Sequence, residues 1–200
     1  MAEIGLFEAI HSQRAIRRYK PDPVPDELVH RVLDAAIRAP SAINVQPWRF
    51  IVVKDAAVRR KIADFYHTAW KAGQDNPQTQ AVLKTRDPSI ISHATQFATE
   101  GIYQVPVFIF VCATQSDAAD SVLQAVQNLM LAARGLGLGT VFTTLLRRHD
   151  AEIRELLSVP EGSEVVCMIP LGYPETGFGP TRRRPVEEVA FAERWGTPLR

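Results

Sequence analysis

Two clusters of arginine are the residues of this sequence best suited to binding a ligand. They consist of Arg14, Arg17 and Arg18 near the N-terminus and Arg182, Arg183 and Arg184 near the C-terminus. A guanidinium group binds phosphate through forked, charge-assisted hydrogen bonds. The positive charge is local, because the chain as a whole has 23 Lys and Arg against 22 Asp and Glu. Each cluster alone is more typical of a solvated surface, but the pair indicates a small phosphorylated ligand rather than a polyanion.

The second candidate is a polar loop, which we define as residues 39–48. Two prolines restrict its backbone, while Ser41, Asn44 and Gln46 can donate and accept hydrogen bonds. A rigid loop of this composition can offer several hydrogen bonds to a flat heteroaromatic ring. The same composition is equally typical of a turn that is anchored by Trp48.

The remaining motifs do not predict a catalytic side chain or a metal site. The glycine-rich stretch at 135–139 follows a predicted helix and precedes a predicted strand. A dinucleotide-binding fingerprint requires the opposite order, so these glycines indicate a helix end and close packing. The five histidines have no spacing typical of a metal site or a catalytic triad. Cys112 and Cys167 lie in apolar, strand-like runs, where a thiol behaves as a small hydrophobe.

Alternating helices and strands must position these candidate residues. Helical apolar spacing occurs at residues 6–10, 25–39, 56–70, 90–100, 121–136 and 150–157. Apolar runs predict strands at 50–53, 105–112, 139–146 and 165–172, and the second of these is expected to be buried on both faces. Residues 73–88 are polar and weakly patterned, which predicts a mobile lid or excursion. The apolar side chains of the tail at 178–200 predict that it docks on another surface.

Length and composition set the class of protein. With 200 residues, 46% hydrophobic and 22% charged, the chain is expected to form a single α+β or mixed α/β domain over residues 1–200. The near-zero net charge argues against nucleic acid and membrane partners. No apolar run is long enough to span a membrane, and the first ten residues lack a signal-peptide pattern. Two cysteines exclude a disulfide framework, so we expect a cytoplasmic protein.

Several stretches, in chain order, resemble the FMN-dependent nitroreductase family. They are Ser-Gln-Arg-Ala-Ile-Arg-Arg-Tyr at 12–19, Pro40-Ser41-x-x-Asn44-x-Gln46-Pro47-Trp48, Gln127-Asn128-Leu129 with Gly137-Leu138-Gly139, Leu171-Gly172-Tyr173-Pro174, and the segment from Arg182 to Pro185. No single stretch is decisive, but the ordered set is specific and covers nearly the whole chain.

The resemblance implies an α+β fold with a central mixed β-sheet flanked by helices, in an intertwined homodimer with two FMN molecules at its interface. The implied contacts on the phosphate and ribityl side are Gln13, Arg14, Ala15 and Arg17, with Arg182, Arg183 or Arg184 closing on the phosphate. The implied contacts near the ring are Pro40, Ser41, Ala42, Asn44 and Gln46 from the other subunit, and Gly139, Thr140, Thr143 and Thr144 beside the flavin.

The resemblance also implies an FMN-dependent NAD(P)H oxidoreductase. In such an enzyme NADH or NADPH delivers a hydride to flavin N5, and a small electron-poor acceptor such as a nitroaromatic or a quinone takes it up in a ping-pong cycle. One alternative is a flavin-fragmenting or reductive-dehalogenating relative, and another is a non-catalytic protein that stores or senses FMN. The sequence departs from the family where Gln13-Arg14-Ala15 replaces the common Arg-Arg-Ser. Residues 73–102, a region that usually shapes the substrate pocket, contain none of the stretches on which the resemblance rests.

Overall fold

Seven α-helices and four strands form the part of the chain described by the computed structural model, residues 4–115 and 117–199. The helices are α1 (Leu6–Ser12), α2 (Asp26–Ala36), α3 (Ala56–Gln74), α4 (Pro77–Lys84), α5 (Pro88–Thr99), α6 (Ala119–Gly135) and α7 (Asp150–Leu157). The strands are β1 (Trp48–Val53), β2 (Val107–Ala113), β3 (Gly139–Thr140) and β4 (Glu164–Gly172). Residues 1–3 of the N-terminal stretch compared above with a signal peptide lie outside the described residues. None of the described helices has the length and apolarity needed to cross a membrane.

The strands form an antiparallel sheet in the order β1-β2-β4-β3. All seven residues of β2 are buried, which confirms the prediction of a strand covered on both faces. A parallel bridge between Ala15 and Thr140 adds the segment after α1 to the β3 edge. The α+β fold class is therefore confirmed. The first arginine cluster lies at the β3 edge of the sheet, whereas the polar loop leads into β1 at the opposite edge.

Two apolar cores lie on the two faces of this sheet. Successive side chains of a strand point to opposite faces, so Ile109 joins one core and Phe108 and Phe110 join the other. Helices α2 and α6 cover the first face, and α3 and α5 cover the second. Helix α6 contributes Val122, Val126, Leu129 and other buried side chains to the first core, as its broad apolar stripe predicts. The second core also contains Ile16 and Tyr19. They belong to residues 13–20, which follow α1 and contain the first arginine cluster; we call these residues the arginine-containing segment.

The segment at 73–88, predicted to be a mobile lid or excursion, is largely helical. Helix α3 extends to Gln74, α4 follows, and α5 begins at residue 88. The Asn76 side chain caps α4 by accepting backbone N–H groups at 2.9 and 3.1 Å, and Asp87 caps α5 by accepting the N–H of Ser89 at 2.8 Å. Each capping residue is followed by a proline at the first helical position, a combination typical of helix starts.

The strand predicted at 139–146 is wrong in its length, since β3 contains two residues. Pairing with β4 resumes only at Thr143, which forms a bridge with Met168. Between these points β4 contains Pro170, which has no N–H to donate. The chain then turns into a 3₁₀ segment, Leu145–His149. Phe142, between these two pairings, is 42% exposed.

The glycine-rich stretch ends α6, as predicted. Gly137 has a φ of 75°, a left-handed conformation that glycine adopts without a side-chain clash. Its N–H donates to the carbonyl of Arg134 at 3.0 Å, and the N–H of Leu138 donates to Ala133 at 2.8 Å. These two bonds satisfy carbonyls at the end of the helix.

Candidate functional site

The chain after β4 runs antiparallel beside the segment that follows α1. Three backbone hydrogen bonds join the segments: Lys20 to Tyr173 at 2.9 Å, Glu175 to Arg18 at 3.1 Å and Thr181 to His11 at 3.0 Å. This pairing continues to the end of α1, so Arg182 follows directly after a residue bonded to that helix end. The two arginine clusters, far apart in sequence, are thereby brought to the same region.

A basic pocket of about 280 Å³ lies between the arginine-containing segment, α5 and the first residues after β4. Its lining residues are Arg14, Ala15, Ile16, Arg17, Arg18, His93, Gln96, Thr176 and Gly177. Arg18 donates to Oε1 of Gln96 at 3.0 Å. No carboxylate lines the pocket, and within residues 4–115 and 117–199 neither Arg14 nor Arg17 has a hydrogen-bond or ion-pair partner. The pocket therefore has free guanidinium donors, which suit an anionic group.

An aromatic pocket of about 310 Å³ adjoins the basic pocket, and Arg17 lines both. Its other lining residues are Tyr66, Trp70, Ala94, Phe97, Val141, Phe142, Thr143, Thr144 and Leu145. The hydroxyl groups of Tyr66 and Thr143 lie 3.2 Å apart. Burial raises the pKa of Tyr66, opposed by the Thr143 hydrogen bond and the charge of Arg17. The phenol therefore stays protonated at neutral pH and remains a hydrogen-bond donor.

The predicted residues of the N-terminal cluster divide into lining and supporting groups. Arg14, Ala15 and Arg17 line the basic pocket. Gln13 does not line it, and its side-chain amide lies instead 3.8 Å from the sulfur of Met130 on α6. The side chain that replaces the family's common arginine is thus directed to another part of the molecule.

The predicted residues on and after β3 divide in the same way. Thr143 and Thr144 line the aromatic pocket. Gly139 and Thr140 are buried and line neither pocket. Thr140 accepts the N–H of Ile16 at 2.9 Å, and a Cβ added to Gly139 would lie 2.7 Å from Cγ2 of Ile16. Gly139 and Thr140 therefore support the arginine-containing segment through their contacts with Ile16.

Hydrogen bonds fix the polar loop in one conformation. The Ser41 hydroxyl accepts the backbone N–H of Gln46 at 3.0 Å, and the Gln46 side chain donates to Oδ1 of Asn44 at 3.1 Å. The loop is also tied to α6, where the Ser121 hydroxyl accepts the N–H of Ala42 at 3.3 Å. These hydrogen bonds preorganise the polar groups of the loop.

The same loop has an unusual backbone and lies away from both pockets. Ile43, Asn44 and Gln46 have φ values of 44°, 58° and 51°. Non-glycine residues in this region cost on the order of 1–3 kcal/mol each and are typical of functional sites. The Ile43 side chain is 95% exposed. None of the predicted contacts Pro40, Ser41, Ala42, Asn44 and Gln46 lines the basic or the aromatic pocket of the same chain.

Sequence reasoning missed the contribution of α3, of α5 and of the residues directly after β4. Helix α5 provides His93 and Gln96 to the basic pocket and Phe97 to the aromatic pocket, where α3 provides Tyr66 and Trp70. The Asp-Pro start of α5 was the available signal, since it fixes the helix on which three of these residues lie. The tail arginines Arg182, Arg183 and Arg184 do not line the basic pocket.

Comparison with known proteins shows which family has this arrangement. The profile of the nitroreductase family matches residues 10–173. The chain belongs to the nitroreductase family. The predictions of this family and of an FMN-dependent oxidoreductase are therefore confirmed at the level of the family.

Individual relatives of this nitroreductase-family chain have different names. A protein of Methanothermobacter thermautotrophicus named as an NADH dehydrogenase/NAD(P)H nitroreductase is 34% identical over 98% of this chain and 90% of its own length. A 5,6-dimethylbenzimidazole synthase of Rhodospirillum rubrum is 29% identical over 85% of this chain and 82% of its own. A crystal structure of oxidized iodotyrosine deiodinase bound to FMN and 3-iodo-L-tyrosine matches with a TM-score of 0.75 and 25% identity, covering 95% of this chain and 99% of that one.

Proposed function

We propose that this protein is a homodimeric FMN enzyme that moves a hydride from NADH or NADPH to a small electron-poor acceptor, such as a nitroaromatic or a quinone. The observation that carries the proposal is the basic pocket, in which, among the residues that the structure describes, Arg14 and Arg17 have no side-chain partner and no carboxylate lines the pocket. Arg17 connects this pocket to the adjoining aromatic pocket. A phosphate next to a flat heteroaromatic group is the ligand chemistry that fits both pockets.

The chain's own residues fit the two ends of FMN. Arg14, Arg17 and Arg18 would bind the phosphate and ribityl end, with Arg182, Arg183 or Arg184 closing on the phosphate from the tail. Thr143 and Thr144, together with the aromatic side chains around them, would lie beside the ring. Gln13 would not contribute a side-chain contact, because it is directed to Met130. Bound FMN would supply the reversible acceptance of a hydride.

We propose that a second protomer completes the site. The polar loop precedes β1, whereas the basic pocket lies beyond β3, so three strand spacings, about 14 Å, separate the two edges of the sheet. The preorganised loop, with its exposed Ile43, can reach a ring only in another copy. Exposed apolar side chains on α1 and on the tail, such as Phe7 and Trp195, at 74% and 93% exposure, give such a copy a surface to cover.

The roles of the protein residues are binding and electrostatics. Arg17 is half-buried and positively charged between the two pockets, so it would stabilise negative charge on a bound ligand. Tyr66 keeps its proton and hydrogen-bonds Thr143, which fixes that hydroxyl at the wall of the aromatic pocket. We propose no proton transfer by a protein side chain. The free, buried Cys112 and Cys167 fit the proposed cytoplasmic location, where thiols stay reduced.

Two further candidate functions come from the relatives. The iodotyrosine deiodinase structure, with FMN and 3-iodo-L-tyrosine bound, supports a dehalogenating reaction, and the 5,6-dimethylbenzimidazole synthase shows that the relatives include other reactions, of which a flavin-fragmenting one is our second candidate. A non-catalytic FMN storage or sensing protein is the alternative from another class. Fragmentation would consume the flavin, dehalogenation would release halide, and storage would show no turnover.

The test begins with the visible spectrum of the purified protein and with titration of FMN. We expect a yellow protein that oxidises NADH or NADPH when a nitroaromatic or a quinone is added. A colourless protein that neither binds added FMN nor gains melting temperature from it would contradict the whole proposal. Binding without turnover of any acceptor would instead support storage. Sedimentation of the purified protein measures whether it is a dimer. A monomer that binds FMN as tightly as the dimer does would contradict the shared site.

A further inference from the structure

Arg134, in the last turn of α6, is an arginine that lines neither pocket and is nevertheless almost enclosed. Its side chain is 12% exposed. Nε donates to the Ser12 hydroxyl at 2.8 Å, and Nη2 lies 3.5 Å from a carboxylate oxygen of Glu8. The guanidinium also stacks over the ring of Phe178, with Cζ 4.1 Å from the ring centre. One side chain therefore contacts both α1 and the chain after β4.

The two segments that Arg134 joins are those that lead into the arginine clusters. Ser12 is the last residue of α1 and precedes Arg14 by two positions. Phe178 is followed by Gly179, where an added Cβ would lie 3.5 Å from Nη1 of Arg14. Thr181 then bonds the carbonyl of His11 through its N–H at 3.0 Å and its hydroxyl at 3.2 Å. Arg134 thus contacts both paired segments next to the point where Arg14 follows one of them and the tail arginines follow the other.

We propose that Arg134 is a positioning residue for phosphate binding: by holding Ser12 and Phe178 together, it directs Arg14 and the tail arginines toward the same phosphate. This inference rests on the proposed FMN function. Arginine suits the role because its planar group can hydrogen-bond at its edge while its face stacks on an aromatic ring. The Glu8 carboxylate beside it offsets its charge, so its contribution is geometric.

The experiment compares the affinities for FMN and for riboflavin, which lacks the phosphate. Both are measured by flavin fluorescence in Arg134→Met and in the unsubstituted protein. We expect Arg134→Met to weaken FMN binding about tenfold, equivalent to about 1.4 kcal/mol, and to leave riboflavin binding unchanged. A merely structural role would lower both affinities together.

Arg154→Met is the matched control. Arg154 on α7 is also largely enclosed, with a side chain 23% exposed. It donates to the carbonyls of Pro160 and Ser163, away from both pockets. Its loss is expected to lower the melting temperature without changing the ratio of the two flavin affinities.

Phe178→Leu provides a second variant that keeps the charge and most of the volume. We expect it to lower FMN affinity severalfold, again without an effect on riboflavin, so lost net charge cannot explain the result. If Arg134→Met does not fold, the ratio of FMN to riboflavin affinity in Phe178→Leu tests the inference by itself. An unchanged ratio of affinities in a protein that binds FMN would overturn this inference and leave the proposed function standing. If the unsubstituted protein binds no FMN, the proposed function fails and the inference fails with it.

Discussion

Replacing Gly139 by alanine tests how closely β3 supports the arginine-containing segment. A Cβ at this position would lie 2.8 Å from Cβ and 2.7 Å from Cγ2 of Ile16. Carbon atoms in ordinary contact are about 3.5–4.0 Å apart, so the segment must move by roughly 0.7 Å or more. Shortening Ile16 to valine does not relieve the contact, because valine keeps the same Cβ. The backbone therefore has to shift.

The expected cost follows from this geometry. Overpacking of a buried site typically costs about 1–3 kcal/mol. For a chain of 150–250 residues each kcal/mol lowers the melting temperature by about 2–4 °C, so we expect a decrease of about 2–12 °C. The shift also strains the Ile16 to Thr140 hydrogen bond at 2.9 Å and displaces the neighbouring Arg14 and Arg17. FMN affinity should therefore decrease together with stability.

The assay is thermal unfolding at one fixed protein concentration, with and without FMN, and Gly135→Ala is the matched control. Gly135 lies in α6, and no atom comes within 4 Å of an added Cβ. Alanine there should raise stability by about 0.5–1 kcal/mol, because it costs less backbone entropy than glycine in a helix. If Gly139→Ala melts at or above the temperature of the unsubstituted protein, the argument from close contact is refuted.

Four further predictions concern two helix caps, the polar loop and the cysteines. Asn76→Ala should destabilise α4 by about 1 kcal/mol, measured by unfolding or by amide exchange in that helix, and unchanged exchange would contradict the cap. The pKa of Asp87 is lowered mainly by hydrogen bonds from Ser89, so its stabilisation is complete above the ordinary value of 3.8 and is lost as the pH falls through the lower folded value. Asp87→Asn should remove that acid dependence while it keeps the cap. Ser121→Ala should increase proteolysis of the polar loop without lowering the helicity of α6, and equal cleavage rates would refute the tether. Burial raises the pKa of Cys112 to about 11 and that of Cys167 to about 12, so neither thiol should be alkylated at pH 8 until the protein unfolds; rapid labelling of the native protein would contradict this.

The local sequence predicted the elements whose signals lie within a few residues. The buried run at β2 predicted a central strand, and the strand is buried along its whole length. Pro25 and the two carboxylates that follow it predicted the start of α2, which the structure places at Asp26. The helix at 77–84 was not predicted because it buries no apolar side chain, so periodicity gave no signal and only the two capping pairs indicated helix starts.

Other features depended on contacts between residues that are distant in the sequence. The length of β3 is limited by Pro170, thirty positions after Thr140, which no pattern within 139–146 can indicate. The direction of Gln13 is set by its approach to Met130. The residues Tyr66, Trp70 and Phe97 look like ordinary helical core residues in the sequence, and only the fold places them around a pocket.

The sequence by itself determined the family, the chemistry of the two arginine clusters and the polarity of the loop, because residue types and their order carry that information. Only the tertiary structure decided where these groups lie relative to one another. The antiparallel pairing of residues 11–20 with 173–181 brings the two arginine clusters together. The strand order β1-β2-β4-β3 places the polar loop at the other edge of the sheet. Both results come from long-range backbone hydrogen bonding, whose partners no local pattern specifies.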